Sequence, residues 1–227
     1  SISFNVKGLQ YKFPNGGVGL HEVNLSETHG KLCGLMGASG AGKTTLLNVM
    51  AGLYTPSEGK VLLNGHDLHH EPDKVEGVIG YIPQDDLLIE ELTVYQNLYY
   101  NAKLCFRDLS EKELKTSVLK VLGQLGLAEQ RSLRVGSPLD KTISGGQRKR
   151  LNIALELIRE PSVLFVDEPT SGLSSRDSEN VMDLLRELTL KGKLIFVVIH
   201  QPSSDIYKMF DKIILLDTGG WQTYYGN

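Results

Sequence analysis

The sequence predicts an α/β domain in which a parallel sheet is flanked by helices, with a β-rich N-terminal part and a helical insert. From residue 151 onward, strand-sized apolar runs alternate with helix-length segments, which is typical of parallel strands joined by helices. Residues 92–126 carry leucine and valine at helical spacing, and charged residues fill the other faces. Residues 2–6 and 18–25 alternate apolar and polar positions, which favours half-buried strands.

The remaining elements follow from short apolar runs and their boundaries. Residues 11–17 are rich in turn formers, and residues 31–36 form a compact apolar run that leads into glycines. The predicted strands are 2–6, 18–25, 31–36, 60–65, 78–82, 163–166, 194–199 and 213–216, and the predicted helices of the core are 44–51, 151–158 and 175–190.

Composition excludes several classes of protein. The 227 residues carry a net charge of -3, so the chain lacks the basic field that drives non-specific nucleic-acid binding. The basic run at residues 148–150 is expected to be a solvated helix face. Cys33 and Cys105 lie far apart without metal-ligand spacing and are expected to be reduced thiols. The longest apolar runs are strand-sized, well below the roughly 20 residues that a membrane span needs.

A glycine-rich segment predicts a phosphate site. Residues 37–44, the phosphate loop, read G-A-S-G-A-G-K-T and match the pattern G-x-x-x-x-G-K-[ST] between a buried strand and a helix. Glycines let backbone N–H groups turn toward phosphates, and the helix N-terminus adds partial positive charge. Lys43 is expected to contact the β- and γ-phosphates, and Thr44 to offer its hydroxyl to Mg²⁺.

Two acidic residues follow a buried strand. Residues 163–166 are apolar and lead into Asp167 and Glu168. Ligands bind at the carboxyl ends of strands in open α/β sheets, so both carboxylates are expected at the site. Asp167 suits a Mg²⁺ role through water. Glu168 suits the group that orients or deprotonates an attacking water.

Two further strand ends carry polar side chains. His200 follows residues 194–199 and could hydrogen-bond a γ-phosphate, although a lone histidine is more often structural. Gln84 follows residues 78–82 and directly precedes the helical insert. Its amide could bind Mg²⁺ or the attacking water and report its presence to the insert.

A second segment of small residues distinguishes this predicted site from a nucleotide site that has a phosphate loop alone. Residues 143–147, the signature segment, read I-S-G-G-Q and lie between the phosphate loop and the acidic strand. A second phosphate-binding segment of this type suggests an active site assembled from two chains.

The order of the phosphate loop, Gln84, the signature segment, Asp167-Glu168 and His200 resembles the nucleotide-binding domain of ATP-binding cassette (ABC) proteins. The resemblance covers essentially the whole chain. It implies the P-loop NTPase fold of ABC ATPases, with a mixed central sheet, an N-terminal antiparallel β subdomain and an inserted helical subdomain. It also implies a single domain over 1–227, with 1–86 and 160–227 as core and β subdomain and about 87–159 as the helical subdomain.

The resemblance assigns roles by position, with ATP and Mg²⁺ as cofactors. Ser144 and Gly146 would bind the γ-phosphate of ATP held by the opposite subunit. Tyr11 resembles the aromatic that stacks on adenine, with Phe13 as the alternative. The implied catalytic residues are Lys43, Gln84, Glu168 and His200; the metal ligands are Thr44, Gln84 and Asp167; and the nucleotide contacts are Tyr11, Gly37, Ala38, Ser39, Gly40, Ala41, Gly42, Lys43, Thr44, Thr45, Ser144, Gly145, Gly146 and Gln147.

Residues 81–86, 167–173 and 199–204 are similar to the White-type (G) subfamily of ABC transporters and its bacterial relatives. This similarity implies an ATPase that moves a transmembrane domain, fused or separate, and a head-to-tail dimer with a second nucleotide-binding domain. It also implies a location at the cytoplasmic face of the cell membrane, export of lipid-like or hydrophobic cargo, and no nucleic-acid partner. Residues 87–95 supply an apolar set that would contact the membrane domain or form the core of the insert: Leu87, Leu88, Ile89, Leu92 and Tyr95.

One position departs from the family pattern. Ser174 follows residues 171–173, where the family usually has an aspartate in a loop that crosses the dimer interface. The missing carboxylate removes one polar contact between the two sites, and Asp177 is expected to lie inside the following helix. Two alternatives stay open: a non-transport ABC ATPase of DNA repair or translation, and a regulatory module that binds ATP without hydrolysis.

Overall fold

A computed structural model describes residues 1–140 and 142–227 and shows one ten-stranded mixed sheet with helices on both faces. The strands are β1 (Ser3–Lys12), β2 (Val18–Thr28), β3 (Leu32–Gly37), β4 (Glu58–Leu63), β5 (His66–Asp67), β6 (Ile79–Ile82), β7 (Val163–Asp167), β8 (Leu194–Val198), β9 (Lys212–Asp217) and β10 (Trp221–Gly226). The helices are α1 (Lys43–Met50), α2 (Val94–Cys105), α3 (Glu111–Gln124), α4 (Gly145–Leu157), α5 (Ser175–Leu190) and α6 (Ser204–Tyr207).

The sheet has a parallel half and an antiparallel half, so the predicted mixed sheet is confirmed. Strands run in the order β5-β4-β1-β2-β10-β9-β3-β8-β7-β6. From β9 to β6 all neighbours are parallel, and β1 pairs antiparallel with β2 and β4. Because parallel strands share one carboxyl edge, the residues after β3, β6, β7 and β8 meet at the same side of the domain.

Two apolar layers hold this sheet between helices. Every residue of β7 and β8 is buried, and successive side chains enter opposite layers. Phe165 stacks on Phe196 with ring centroids 5.4 Å apart, and Phe4 from β1 contacts both rings. The other layer joins Val166 and Val197 to the apolar faces of α2, α3, α4 and α5. The strands that carry Asp167 and precede His200 are therefore buried on both faces of the sheet.

Several elements differ from the prediction. Helix α4 begins at Gly145, six residues before the predicted start, because Ser144 and Gln147 form a reciprocal capping box ahead of the apolar stripe. The short elements β5 and α6 had no predicted counterpart. Strand β10 also had none, since none of its residues is buried and they lack regular alternation. It pairs antiparallel with β9 and bridges to β2.

Within residues 1–140 and 142–227, no helix combines the length and the apolar character that membrane crossing requires.

Candidate active site

The phosphate loop joins β3 to α1 in a conformation that depends on glycine. Gly37 has φ 156°, and a Cβ there would lie 2.3 Å from the carbonyl oxygen of Leu216. Gly42 has φ 95° and sits directly before α1, where a Cβ would lie 3.0 Å from the carbonyl oxygen of Gly19. Both positions exclude larger residues, because the loop passes close to neighbouring backbone.

Lys43 and Thr44 begin α1 and turn toward the carboxyl edge of the sheet. Lys43 is buried, and its Nζ donates a hydrogen bond of 2.6 Å to the carbonyl of Gly37. The Thr44 hydroxyl lies 3.3 Å and 3.4 Å from the two carboxylate oxygens of Asp167. The sequence predicted this meeting of loop and strand end, although 123 positions separate the two residues.

The Asp167 carboxylate is held in an environment that favours a cation beside it. Burial raises the pKa of Asp167, and the negative charge of Glu168 raises it further, against the hydrogen bond from Thr44 and the charges of Lys149 and Lys43. A hydroxyl and a carboxylate in contact, next to a phosphate loop, form the oxygen-donor set that Mg²⁺ takes from a protein. The residues present therefore fit the ion that the family pattern implies.

A single cleft collects half of the predicted site residues, nine of eighteen. It has a volume of about 420 Å³ and is lined by Phe13, Val18, Gly19, Ser39, Gly40, Ala41, Gly42, Lys43, Thr44, Thr45, Glu168, His200 and Gly219. Glu168 adopts φ 46°, and its N–H donates to the carbonyl of Val198 at 2.9 Å. This left-handed conformation turns the backbone directly after β7 and places Glu168 at the cleft.

The aromatic position is decided by packing. Tyr11 stacks on Tyr54 with centroids 5.4 Å apart, and its ring contacts Phe13 edge to face. Phe13 lines the cleft and is 41% exposed. Phe13, the alternative that the sequence left open, is therefore the ring that lines the cleft, and Tyr11 packs against it.

Gln84 lies just outside this cleft. It follows β6, and its Nε2 donates to the hydroxyl of Ser171 at 3.2 Å. Ser171 belongs to the loop between β7 and α5, so Gln84 contacts the segment that follows the acidic pair.

The expectation for residues 148–150 was wrong for two of the three. Arg148 and Lys149 are each 7% exposed. Arg148 pairs with Asp86 at 2.7 Å and donates to the carbonyls of Val135 and Gly136. When the tertiary partners are unknown, a run of charged residues on a helix is predicted to face solvent. Here the partners are an acid and backbone carbonyls supplied by distant loops.

The signature segment is shaped by contacts within its own chain. The Ser144 hydroxyl accepts a hydrogen bond from the Gln147 N–H at 3.0 Å, and the Gln147 side chain accepts one from the Ser144 N–H at 2.8 Å. A Cβ on Gly145 would lie 2.9 Å from Leu173, and one on Gly146 would lie 2.9 Å from Asp177. Gly146 therefore admits α5 against α4, and Gly145 admits the loop that precedes α5, which the sequence did not indicate. Ser144 and Gly145 are exposed and lie apart from the cleft.

Ser174 has a structural role where the family usually has aspartate. Its hydroxyl accepts a hydrogen bond from the Asp177 N–H at 3.1 Å and caps α5, and Asp177 lies in the first turn of that helix as expected. Serine and aspartate are comparable N-caps, so the substitution keeps the helix start and removes only the charge.

The fold and these motifs match a known family. Residues 20–171 match the family model described as ABC transporter, and the chain belongs to this family. ABC transporter G family member 25 of Oryza sativa subsp. japonica is 42% identical over 202 residues, which cover 87% of this chain and 20% of that protein. ABC transporter G family member 26 of Arabidopsis thaliana is 41% identical over 209 residues, 91% of this chain and 30% of that protein. The expected White-type affinity is thereby confirmed, and the chain spans less than a third of either relative.

Solved structures agree with the fold. The chain is similar to cbiO1 from Clostridium perfringens, described as part of the ABC transporter complex cbiONQ, with TM-score 0.86 and 28% identity over 99% of this chain and 88% of that one. It is also similar to the ATP-binding cassette MJ0796, solved as a dimer in a post-hydrolysis state bound to ADP and Pi, with TM-score 0.82 and 29% identity over 99% of this chain and 98% of that one. The predicted ABC ATPase fold is confirmed.

Proposed function

We propose that this chain is the Mg²⁺-dependent ATPase domain of a G-type ABC transporter, in which ATP binding and hydrolysis drive a partner membrane domain. The observation that carries this proposal is the contact between Thr44 and Asp167 at the wall of a cleft that also presents Lys43, Glu168 and His200. The dimeric neighbour with bound ADP and Pi supports hydrolysis at a site of this architecture.

Each of these residues has its own proposed role in phosphoryl transfer. Backbone N–H groups of the phosphate loop cradle the phosphates, and the Lys43 amine exchanges its bond to Gly37 for the β- and γ-phosphates. Thr44, Asp167 and Gln84 would hold Mg²⁺, which when bound neutralises charge on the phosphate oxygens. Glu168 orients and deprotonates the attacking water, and His200 donates a hydrogen bond to the γ-phosphate. Positioned charge does most of the catalysis in this reaction.

The exposed residues Ser144 and Gly145 of the signature segment support a head-to-tail dimer. Ser144 accepts a hydrogen bond in its capping box, so its O–H remains available as a donor to a phosphate. In the proposed dimer, Ser144 and Gly146 reach the ATP in the cleft of a second nucleotide-binding domain, and each site is completed by the opposite domain.

The helical insert offers a surface for the membrane domain. Leu87 and Ile89 are 59% and 52% exposed, in the segment between Gln84 and α2. We assign this segment to the contact with a transmembrane domain at the cytoplasmic face of the membrane, on the same polypeptide or a separate one. We further propose export of lipid-like or hydrophobic cargo, the class that the resemblance to the White-type subfamily implies.

The proposal is tested by Glu168→Gln, which keeps the shape of the side chain and removes the base. Turnover is expected to fall by about 10²-fold or more, since general-base catalysis contributes roughly 10²–10⁴-fold. ATP binding should persist, and the ATP-bound dimer should accumulate. Steady-state ATPase assays at dimer-forming concentration and sedimentation measure the two effects.

Glu160→Gln is the matched control, because Glu160 is also a glutamate at positive φ but lies outside the cleft. It should leave turnover unchanged. Wild-type turnover by Glu168→Gln, or failure of the parent chain to bind Mg²⁺-ATP, would contradict the proposed function.

A further inference from the structure

Lys149 is a buried lysine whose amine faces the Gln84 segment. Its Nζ donates to the carbonyl of Gln84 at 3.1 Å and to that of Pro83 at 3.4 Å. The side chain is only 7% exposed, and among the ion pairs of residues 1–140 and 142–227 the Lys149 amine takes part in none. Lysine is rarely buried without a partner, so the two backbone carbonyls are what keep it in place.

The amine also lies in the field of the proposed metal site. Burial lowers the pKa of Lys149, while the charges of Asp86, Asp167 and Asp85 raise it. The same interaction lowers the pKa of Asp167. Lys149 therefore acts on two of the proposed Mg²⁺ ligands at once: on Gln84 through its backbone and on Asp167 through charge.

Helix α4 connects this lysine to the signature segment. Ser144 caps α4, and Lys149 lies in the second turn of the same helix. Its neighbour Arg148 fixes different groups, the Asp86 carboxylate and the carbonyls of Val135 and Gly136. Arg148 thus joins α4 to the Asp86 side chain and to the backbone of residues 135–136, whereas Lys149 joins α4 to the backbone of Pro83 and Gln84.

We propose that Lys149 is a positioning residue that sets Gln84 for Mg²⁺-ATP and ties the signature helix to the metal site of its own domain. Two hydrogen bonds fix the backbone from which the Gln84 amide extends. A displacement of α4 when Ser144 binds the opposite ATP is then transmitted through Lys149 to Gln84. This inference rests on the proposed ATPase function.

The test compares Lys149→Met with the parent 227-residue chain. Affinity for a fluorescent ATP analogue is titrated with and without Mg²⁺. We expect apparent Mg²⁺ affinity to fall by about ten-fold or more, the usual effect of losing a group that orients a metal ligand. Affinity for the analogue without Mg²⁺ should stay within about two-fold, because the phosphate loop is intact. In the nucleotide-free protein, amide exchange of residues 84–86 should accelerate.

Lys193→Met is the matched control. Lys193 is also partly buried, its pKa is also lowered by burial, and its amine donates to a backbone carbonyl, that of Pro161, away from the cleft. It should lose stability without any change in Mg²⁺ dependence. Lys149→Arg, which retains the charge and the donors, should recover part of the Mg²⁺ affinity.

The outcomes separate the two proposals. If the parent chain binds the analogue without any Mg²⁺ dependence, the proposed function fails and the inference fails with it. If the parent depends on Mg²⁺ but Lys149→Met does so to the same degree, or loses both affinities together as a destabilised protein would, only the role of Lys149 is overturned. Should Lys149→Met not fold, Lys149→Gln keeps a neutral donor and is measured in the same way, with the same two readings.

Discussion

The two proposed phosphate-binding segments both lie at helix N-termini, yet the two helix starts are capped differently. At α1, Gly42 occupies the N-cap in a left-handed conformation, and no side chain of the described residues caps the helix. At α4, Ser144 and Gln147 close a complete capping box. The first helix start thus leaves its backbone N–H groups open for a ligand, whereas at the second the Ser144 and Gln147 N–H groups are bonded within the capping box and a hydroxyl is offered.

The residues around the two segments also differ. The phosphate loop faces Glu168 and His200 across one cleft of its own domain, and Thr44 of that loop contacts Asp167. In the signature segment Ser144 and Gly145 are exposed, and the two glycines are fitted to Leu173 and Asp177. The phosphate loop therefore meets its partner residues within one domain, whereas in the proposed dimer the signature segment would be used by a second domain.

The largest effect is expected from Ser144→Asp, which tests the proposed role of the signature segment in a second domain's site. Aspartate caps a helix as well as serine does, so the free energy of unfolding should change by less than about 0.5 kcal/mol. A carboxylate at this point repels the γ-phosphate of the opposite site, at a cost of several kcal/mol. ATP-dependent dimerisation, measured by sedimentation in the Glu168→Gln background, should be abolished.

Thr93→Asp is the matched control for Ser144→Asp, since Thr93 closes a capping box with Gln96 at the start of α2. It should dimerise like the parent. Dimerisation by Ser144→Asp would show that this segment does not meet a phosphate.

The second test concerns the packing of Gly146 against α5. Gly146→Ala is expected to lower the free energy of unfolding by about 1–2 kcal/mol, because crowding of Asp177 outweighs the gain in helix propensity. Gly123→Ala on α3, where a Cβ meets nothing within 4 Å, should instead stabilise by about 0.5–1 kcal/mol. Thermal and urea unfolding measure both changes.

Adding Asp177→Ala to Gly146→Ala should restore most of the lost stability. If it does not, the glycine is not retained for packing against α5.

The third test uses the environment of Asp167. Because its pKa is raised on folding, the folded chain binds the proton more tightly than the unfolded chain. Its favourable contribution is complete below the unfolded pKa of about 4 and is lost as pH rises through the folded pKa. Asp167→Asn should therefore raise the free energy of unfolding at pH 7 without nucleotide and abolish stabilisation by Mg²⁺-ATP. An unchanged or lower stability at pH 7 would mean that the carboxylate carries no burial penalty.

The smallest effect is expected at Ser174. Ser174→Asp keeps the cap of α5, so stability should stay within about 0.5 kcal/mol. The added carboxylate restores one polar contact across the proposed interface, and dimerisation should strengthen a few-fold, on the order of 1 kcal/mol. A weaker dimer would mean that the interface around Ser174 is already arranged for a neutral side chain.

The sequence was most informative where chemistry is encoded in neighbouring residues. Gly37 to Thr44 predicted a turn and its ligand together, and Asp167-Glu168 predicted a strand end with two carboxylates. Their convergence could also be predicted, because parallel strands share an edge. The predicted start of α4 was wrong because a capping box is a polar signal, whereas the prediction rested on apolar spacing.

The sequence alone determined the fold class, the phosphate loop, the acidic strand end and the family, since each depends on local residue order or hydrophobic period. Only the tertiary structure decided that Phe13 lines the cleft, that Arg148 and Lys149 are buried, and that Gly146 is fitted to Asp177. These features depend on contacts between segments far apart in the chain. Residue type fixes what a side chain can bond, but the position of its partner depends on how the sheet and the helical insert pack.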